Sequence, residues 1–361
     1  MNFLACTPSV FVIGSRYEIL INTLENGIVT LNIGNDTYYE ENSGVLSSEK
    51  SYAKIRVDQE ILDRARSYTV NFRKSINRKA YYSELGDTQS TTFEFKPLTK
   101  TENINIYHIA DVHYRFAIAE SACSFFGDDV DLFVVNGDIG EVETERNYLE
   151  VARFVGNISK GRVPVIFARG NHDTRGHLAE RFTDIFPADG KSTYFGFSVG
   201  SLEGIVLDCG EDKIDNIKEY GGVNIFENFR RRELEFLKAL PAFENGKISF
   251  AVSHMCPAQN TLTPGDVFDI DREVYEKWNT ELSRIGIKFM VCGHIHKAYI
   301  LEKNDKRSLR PHDYPVIVGS ACFGDSDIWG TAITLSKDSL LVRFTDKEKS
   351  VREEHTVDLT H

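Results

Sequence analysis

The sequence predicts an all-β sandwich domain followed by an α/β domain, and three observations lead to this fold class. Up to about residue 98, short runs rich in β-branched and aromatic residues are separated by Gly, Asn, Asp and Ser. Beyond about residue 100, strand-like runs alternate with segments of helical periodicity, as in a sheet covered by helices. Between the two parts, residues 96–100 form a polar step that contains a proline. We therefore predict one domain over 1–98 and a second over 101–361.

The strands of the first domain are predicted from alternation. Tyr68, Val70 and Phe72, for example, alternate with polar neighbours, as on a strand with one buried face. The predicted strands cover 9–14, 17–24, 27–34, 51–57, 68–74 and 91–97. About seven short strands in a segment of this length resemble a fibronectin type III-like sandwich. No residue pattern in this part indicates chemistry, so we expect it to be a packing or orienting module.

In the second domain, strands and helices follow one another along the chain. The predicted strands cover 104–110, 131–135, 163–168, 201–207, 248–252, 287–292, 315–318, 332–335 and 340–344. The predicted helices cover 116–126, 143–155, 178–186 and 229–239. This order predicts βαβ units that build a sheet with helices on its faces.

The bulk composition excludes several classes of protein. The formal net charge of −12 argues against a general nucleic-acid binder and against docking on anionic lipid, both of which need a basic surface. No apolar run approaches the roughly 20 residues that cross a bilayer. The N-terminus has no basic segment before its apolar stretch, so we expect no signal peptide. Because the six cysteines are scattered without paired spacing, we expect reduced thiols and a cytoplasmic location.

Five short motifs concentrate the side chains that bind metals. They are Asp-Val-His at 111–113, Gly-Asp at 137–138, Gly-Asn-His-Asp at 170–173, a single His254, and Gly-His-Ile-His at 293–296. Of the 10 histidines of the chain, five lie in these motifs, and each motif follows a predicted strand. Because open α/β sheets hold their ligands at the carboxyl ends of strands, we expect the motifs to meet there.

The residue types in these motifs suit a pair of cations. In Asp-x-His and His-x-His, residues i and i+2 of an extended segment point the same way and can reach one metal. Asp138 has two carboxylate oxygens and can bridge two cations, whereas Asn171 adds a neutral oxygen that limits the negative charge of a site for an anion. Gly137, Gly170 and Gly293 let the chain leave each strand sharply without steric cost.

The ordered set of motifs resembles the calcineurin-like metallophosphoesterase family over roughly residues 104–345. No single motif is specific, but the five in this order are. The resemblance implies an α/β/β/α sandwich with a dinuclear metal centre. It also implies two ligand sets that share one aspartate: Asp111, His113, Asp138 and His296 around one metal, and Asp138, Asn171, His254 and His294 around the other. His172 resembles the family's unliganded catalytic histidine near the leaving group, and Asp173 resembles the acidic neighbour that orients its ring.

A β-sandwich followed by such a domain also resembles the layout of purple acid phosphatases. Two departures separate the chain from that subfamily. Those enzymes have Asp-x-Gly where this chain has Asp-Val-His at 111–113, and they place a tyrosinate ligand where this chain has Glu141. Without a tyrosinate, a ferric site is poorly supported. We therefore expect two divalent ions, Mn²⁺, Fe²⁺ or Zn²⁺, all of which suit mixed His, carboxylate and amide ligands.

The resulting hypothesis is a metal-dependent phosphohydrolase that acts on a small phosphorylated substrate. It would cleave a phosphate ester by direct attack of a metal-bridging hydroxide, in line with the leaving oxygen. Two alternatives stay open: a phosphodiesterase or nuclease of the same fold, and a non-catalytic metal-binding scaffold. The acidic balance disfavours a nuclease, and the presence of every implied ligand disfavours a scaffold. The motifs decide neither between monoester and diester nor on the oligomeric state.

Several residues near the motifs are secondary candidates. Arg169 and Arg175 flank the Gly-Asn-His-Asp turn, and Arg175 is the better candidate for binding the substrate phosphate. The polar, glycine-containing excursion over 208–222 is typical either of a lid or substrate wall or of a simple solvent loop. We expect changes at Asp212 or Tyr220 in this excursion to alter substrate preference more than metal binding. Residues interpreted as packing or buried thiols are His108, His177, Cys256 and Cys292.

Overall fold

The computed structural model describes residues 3–40, 42–141, 143–243, 246–324 and 326–360. Its strands are β1 (Ser9–Ile13), β2 (Arg16–Asn22), β3 (Gly27–Ile33), β4 (Asp36–Tyr38), β5 (Tyr52–Asp58), β6 (Ser67–Arg78), β7 (Ser83–Glu94), β8 (Ile104–Ile109), β9 (Leu132–Asn136), β10 (Val165–Ala168), β11 (Phe195–Val199), β12 (Leu202–Leu207), β13 (Ile248–Ser253), β14 (Phe289–Cys292), β15 (Tyr299–Leu301), β16 (Val316–Val318), β17 (Ala321–Phe323), β18 (Asp327–Leu335), β19 (Ser339–Thr345) and β20 (Val351–Asp358). Its α-helices are α1 (Gln59–Ala65), α2 (Phe116–Cys123), α3 (Glu145–Ser159), α4 (Phe182–Ile185), α5 (Phe226–Ala239) and α6 (Arg272–Ile285). Over these described ranges, no helix combines the length and the apolar character that crossing a bilayer requires.

The strands of the described residues form three sheets. The first has the order β20-β19-β18-β8-β9-β10-β1-β2-β5, with β17 paired to β18. The second has the order β11-β12-β13-β14-β16-β15, and the third has the order β4-β3-β6-β7. Strands β8, β9, β10 and β1 are parallel, as are β12, β13, β14 and β16. The carboxyl ends of the parallel strands therefore line up within each sheet.

The first and second sheets pack face to face, and this contact forms the main core. Ile106, Val134 and Ile166 of the first sheet share one buried cluster with Phe250 and Phe289 of the second. Helices α2 and α3 cover the outer face of the first sheet, and α5 and α6 cover the outer face of the second. Because both faces are covered, every residue of β9 is buried. The expected α/β/β/α sandwich is thus confirmed.

The N-terminal strands form a β-sandwich, as predicted. Strands β3, β4, β6 and β7 make one layer, and this layer packs on β2 and β5 through buried side chains such as Leu31, Val70 and Ile55. Alternation supplies these side chains, since the odd positions of β3 are buried while the even ones are partly exposed. The predicted fold class, an all-β sandwich followed by an α/β domain, is therefore confirmed.

One layer of this sandwich is continuous with the first sheet of the α/β part. Strand β1 pairs in parallel with β10, with Phe11 opposite Val165, and β2 and β5 extend the sheet beyond β1. All five residues of β1 are buried, as expected of a strand covered on both faces. Strands from 1–98 and from 101–361 are therefore paired within one sheet. The predicted division lies between the two parts in the sequence, but the first sheet is continuous across it. The likeness to a fibronectin type III domain stays a prediction.

Some elements are absent from the predictions. Helix α6 is not among the predicted helices, although its buried positions Tyr275, Trp278 and Leu282 recur at helical spacing. Strand β20 is not predicted either, since most of its residues are exposed and the strand forms by pairing with β19. The predicted helix over 178–186 shortens to α4, because residues 179–181 form a 3₁₀ turn.

Phe250 lies at the centre of the contact between the two sheets. Its ring is fully buried, stacks on Phe289 with centroids 5.0 Å apart, and meets Phe197 edge-on at 5.1 Å. We expect Phe250→Ala to lower the free energy of unfolding by roughly 3–5 kcal/mol, because it removes buried apolar contacts and leaves a cavity. Urea unfolding followed by circular dichroism measures the change. In the exposed control Leu24→Ala the loss should stay below about 1 kcal/mol; equal losses would contradict this position of the core.

Candidate metal centre

Loops that follow five strands bring the predicted ligands together. Asp111 follows β8, Asp138 follows β9 and Asn171 follows β10, all in the first sheet. His254 follows β13 and His294 follows β14, both in the second sheet. The site therefore lies where the carboxyl ends of the two sheets meet, which is where the motif positions predict it.

One group of ligand atoms comes from Asp111, His113 and His296. The Nε2 atom of His296 lies 3.3 Å from Oδ1 of Asp111 and 3.3 Å from Nε2 of His113. Oδ2 of Asp138 completes the group at 3.9 Å from Nε2 of His113. Separations of roughly 3–4 Å are those of atoms that share one cation through bonds of about 2.1 Å. These residues can therefore hold one metal ion.

A second group converges on Oδ1 of Asn171. This oxygen lies 3.1 Å from Nδ1 of His294, 3.2 Å from Oδ2 of Asp138 and 3.3 Å from Nε2 of His254. All four atoms carry lone pairs, which repel one another unless a proton or a cation lies among them. With the amide turned over, its nitrogen would donate to the same neighbours, so the inward oxygen is the orientation that a cation selects. The donor set fits a second divalent cation.

Asp138 faces both groups through one oxygen. Its Oδ1 accepts the backbone N–H of His172 at 2.8 Å. Its Oδ2 lies 3.1 Å from Nε2 of His254 and 3.9 Å from Nε2 of His113. Asp138 is therefore the residue that would help to hold both cations, and its Oδ2 atom faces both ligand groups.

Buried hydrogen bonds below the ligands fix their orientation. The ring of His254 donates from Nδ1 to the carbonyl oxygen of Asn136 at 2.7 Å, which turns Nε2 towards the second group. The side-chain amide of Asn136 donates to Nε2 of His108 at 3.0 Å and to the carbonyl of Ser253 at 3.1 Å. Asn136 thus ties the two sheets together beneath the site. Its place directly before the Gly-Asp motif is the only signal that the sequence carries for this role.

The backbone is strained at the ligands themselves. Positive φ angles occur at Asp111 (54°), His113 (44°), Asp138 (53°), His294 (69°) and His296 (56°). Such a conformation costs a non-glycine residue on the order of 1–3 kcal/mol and persists only where its surroundings impose it. Asp111 and His113 therefore reach one group from a left-handed turn, and the extended segment expected from the motif is corrected.

Close contact between two loops explains one of the glycines. A Cβ atom on Gly137 would lie 2.5 Å from the backbone of Gly170 and 2.8 Å from Nδ1 of His254. Gly137 also has a φ of +77°, which favours glycine. The Gly-Asp and Gly-Asn-His-Asp motifs can approach each other this closely only because neither begins with a side chain.

Burial and neighbouring charges set the protonation of the ligands. Burial lowers the pKa of His113 to about 4, and burial together with His254 lowers the pKa of His294 to about 4. Both rings therefore keep a free lone pair at neutral pH. Burial disfavours a charge on His254, but Asp138 outweighs it and raises the pKa of that ring to about 10. A proton shared by His254 and Asp138 occupies the lone pairs that would bind a metal ion. The proton and the metal ion therefore compete for these two side chains.

The predicted catalytic residue His172 lies beside the ligands, and Glu141 orients its ring. Nδ1 of His172 is 2.9 Å from Oε1 of Glu141. The carboxylate of Asp173 instead accepts the backbone N–H groups of Gly170 at 2.8 Å and Asp138 at 3.0 Å. The expectation that Asp173 orients the ring is therefore corrected: its side chain turns under the loop and joins the two motifs. The sequence signal for Glu141 is its place three residues after Asp138 in the same loop.

Arg175 lies next to His172, but its guanidinium is already paired. Its Nε and NH2 groups donate to the two oxygens of Glu211 at 2.7 and 2.8 Å. Its NH1 group is 3.1 Å from Nε2 of His172. Arg169, by contrast, pairs with the buried Asp208 at 2.7 Å and faces away from the ligands towards aromatic rings. The structure thus brings Arg175 to the site, and a contact with substrate phosphate stays a prediction.

The secondary candidates lie mostly outside the ligand groups. His108, Cys256 and Cys292 are buried, and His177 is exposed. This agrees with packing roles for the first three.

A cleft of about 390 Å³ opens beside the second group. The 208–222 excursion contributes Asp212 to its wall. The opposite wall comes from a loop that no motif marks, and its lining residues are Asn260, Thr261, Leu262, Thr263, Asp266 and Phe268. The cleft therefore places polar and acidic side chains next to the ligands.

Comparisons with known proteins agree with this fold. Among solved structures, a purple acid phosphatase isolated from yellow lupin (Lupinus luteus) seeds superposes with a TM-score of 0.63 at 10% identity, over 97% of this chain and 74% of that one. A structure of PhoD gives a TM-score of 0.57 at 10% identity, over 99% of this chain and 89% of that one. At this level of identity the likeness shows the fold alone. No curated protein matches the chain significantly.

The family comparison reaches further than the fold. The model of the calcineurin-like phosphoesterase family matches residues 104–298, which is more than half of the chain. This stretch contains all five motifs and both halves of the ligand cluster. The chain belongs to the calcineurin-like phosphoesterase family.

Proposed function

We propose that this chain is a metal-dependent hydrolase of phosphate esters. The observation that carries the proposal is the convergence of carboxylate, imidazole and amide lone pairs on two adjacent points at the ends of the parallel strands. The family match supports it, because every residue that contributes a lone pair lies inside the matched stretch. A small phosphorylated molecule is the proposed substrate.

Two divalent cations are the proposed cofactors. The first would be held by Asp111, His113, Asp138 and His296, and the second by Asp138, Asn171, His254 and His294. When bound, such a pair supplies positive charge for the phosphoryl oxygens and a water molecule of lowered pKa. Because the donors are imidazole, carboxylate and amide groups, Mn²⁺, Fe²⁺ and Zn²⁺ all suit them.

His172 is the proposed proton donor to the leaving group. In hydrolysis the water oxygen forms a bond to phosphorus while the ester P–O bond breaks, so the leaving oxygen must gain a proton. The carboxylate of Glu141, 2.9 Å from Nδ1, orients the ring, so that Nε2 is the atom that would pass a proton to the leaving oxygen. The NH1 group of Arg175, at 3.1 Å from the same Nε2, is a second donor at this point. Asp173 acts indirectly, by holding the loops of Gly170 and Asp138 together.

Hydrolysis of two model esters tests the proposed function. Protein stripped with a chelator and reloaded with Mn²⁺ should hydrolyse p-nitrophenyl phosphate, bis(p-nitrophenyl) phosphate or both. The stripped protein should hydrolyse neither. Absence of turnover on both esters, with two metal ions bound per chain, would contradict the proposal and favour the non-catalytic scaffold.

Asp138 should be required for both metal ions, because its Oδ2 faces both ligand groups. We expect Asp138→Ala to hold close to no metal after loading, whereas His254→Ala should keep one ion of the two. Inductively coupled plasma mass spectrometry on desalted protein measures the metal content. His177→Ala is the matched control, since His177 is an exposed histidine that follows the Gly-Asn-His-Asp motif. Retention of one ion in Asp138→Ala would show that Asp138 is not shared.

We expect a substitution of His172 to lower turnover without changing the metal content. We expect His172→Ala to lower kcat for an alkyl phosphate ester by about 10²–10⁴-fold, the usual contribution of a general acid, and for a p-nitrophenyl ester by less, because p-nitrophenolate leaves readily without a proton. Glu141→Gln should lower kcat in the same direction but less, since it keeps a hydrogen-bond acceptor and loses only the charge. Steady-state kinetics and metal analysis are measured on the same samples. Loss of metal from His172→Ala would mean that His172 is a ligand and that the assignment is wrong.

A further inference from the structure

We propose that Glu211 makes this site selective for phosphodiesters over phosphomonoesters, because it neutralises the arginine that would otherwise bind a third phosphoryl oxygen. The inference rests on the proposed function and adds the substrate class. It follows from the contacts of Arg175, from the charge of the wall behind it and from the residues that line the cleft.

Arg175 is placed to bind phosphate, yet two of its three nitrogen atoms, Nε and NH2, already donate to Glu211. Its NH1 group touches the ring of His172, so the guanidinium lies at the edge of the proposed site. The two oxygens of Glu211 accept hydrogen bonds from Nε and NH2 of the same guanidinium, at 2.7 and 2.8 Å. The Glu211 side chain is only 2% exposed, so water screens this pair little. A two-point pair of this kind is among the strongest that arginine forms. The positive charge of Arg175 is therefore cancelled before a substrate arrives.

Two neighbours hold the carboxylate in place and add negative charge. The single O–H of Tyr220 is shared between Oε2 of Glu211, at 3.1 Å, and Oδ1 of Asp212, at 3.0 Å. Oδ1 of Asp212 also lies 3.7 Å from NH2 of Arg175. One positive charge thus faces two negative charges, and Asp212 presents this excess to the cleft.

The rest of the cleft does not restore positive charge. Of the residues that the structure describes, no lysine or arginine lines it. Lys213, next in the chain to the acidic wall, pairs with Glu219 at 2.8 Å and lies over the rings of Tyr220 and Phe268, at 5.8 and 5.6 Å. Asp266 adds a further acidic group to the opposite wall.

Charge then separates the two classes of ester. At neutral pH a phosphomonoester carries about −1.5 to −2 charges on three terminal oxygens. A diester carries a single charge on two terminal oxygens, and its third position is an uncharged ester oxygen. A pair of cations can neutralise two oxygens, so the third oxygen of a monoester needs a free donor. In this site that oxygen would face Asp212 and an arginine already paired with Glu211, whereas the uncharged ester oxygen of a diester meets the same wall without repulsion.

Removing the charge of Glu211 should shift the preference towards monoesters. Glu211→Gln keeps the size of the side chain and one acceptor for Arg175. In Mn²⁺-loaded protein, the ratio of kcat/KM for p-nitrophenyl phosphate to that for bis(p-nitrophenyl) phosphate should rise about tenfold, because a charge-assisted hydrogen bond to the third oxygen becomes available. Adding Arg175→Ala to this variant should abolish the gain, which would identify Arg175 as the donor that Glu211 restrains.

Two further variants complete the test. Asp212→Asn should raise the ratio in the same direction, and it decides the matter if Glu211→Gln does not fold. Glu219→Gln is the matched control, because it removes one charge from the same excursion but pairs with Lys213 and not with Arg175; its ratio should equal that of the wild type.

The failure of this inference is distinguishable from failure of the proposed function. A wild-type protein that prefers the monoester overturns the inference alone. Ratios within roughly twofold of the wild type in both Glu211→Gln and Asp212→Asn do the same, since a change that small is within the range of an exposed ion pair. No turnover of either ester by metal-loaded wild-type protein overturns the proposed function, and the inference with it.

Discussion

Lone pairs from five loops converge in groups whose atoms lie within 4.8 Å of one another, and a cation within each group is the interaction on which the arrangement depends. The fold contributes the force that keeps them there. The two sheets are joined by a core centred on Phe250 and Phe289, and Asn136 links them again directly beneath the ligands. Five ligand residues adopt positive φ angles, which only such a rigid base can maintain. The packed core therefore holds the ligand residues in backbone conformations that would otherwise be unfavourable.

Two carboxylates beside the metal centre have different effects because their partners and burial differ. Glu141 is partly exposed and contacts a histidine, so it orients a ring that can still exchange a proton with the cleft. Glu211 is buried and accepts hydrogen bonds from Nε and NH2 of Arg175, so it offsets the positive charge of that arginine. We infer that the first carboxylate assists turnover and that the second selects the substrate. A carboxylate thus assists the rate of hydrolysis at Glu141 and controls the choice of substrate at Glu211.

The position of the site could be predicted from the sequence because it follows from local rules. Asp111, Asp138 and Asn171 each come directly after an apolar run, and parallel strands end at one edge. The partner of His172 could not be predicted, because adjacency in sequence favours Asp173 whereas the turn points that side chain away and brings Glu141 in. The joining of β1 to β10 depends on pairing across more than a hundred residues, which no local pattern records. Long-range contacts also decide that Arg175 meets Glu211.

A metal titration of activity tests the central claim most directly. Chelator-stripped protein would receive Mn²⁺ in known ratios to the chain, and hydrolysis of bis(p-nitrophenyl) phosphate would be followed at each ratio. The account predicts no turnover without metal and a rise that saturates at two ions per chain. Saturation at a single ion, or turnover that does not depend on added metal, would contradict a shared two-metal centre.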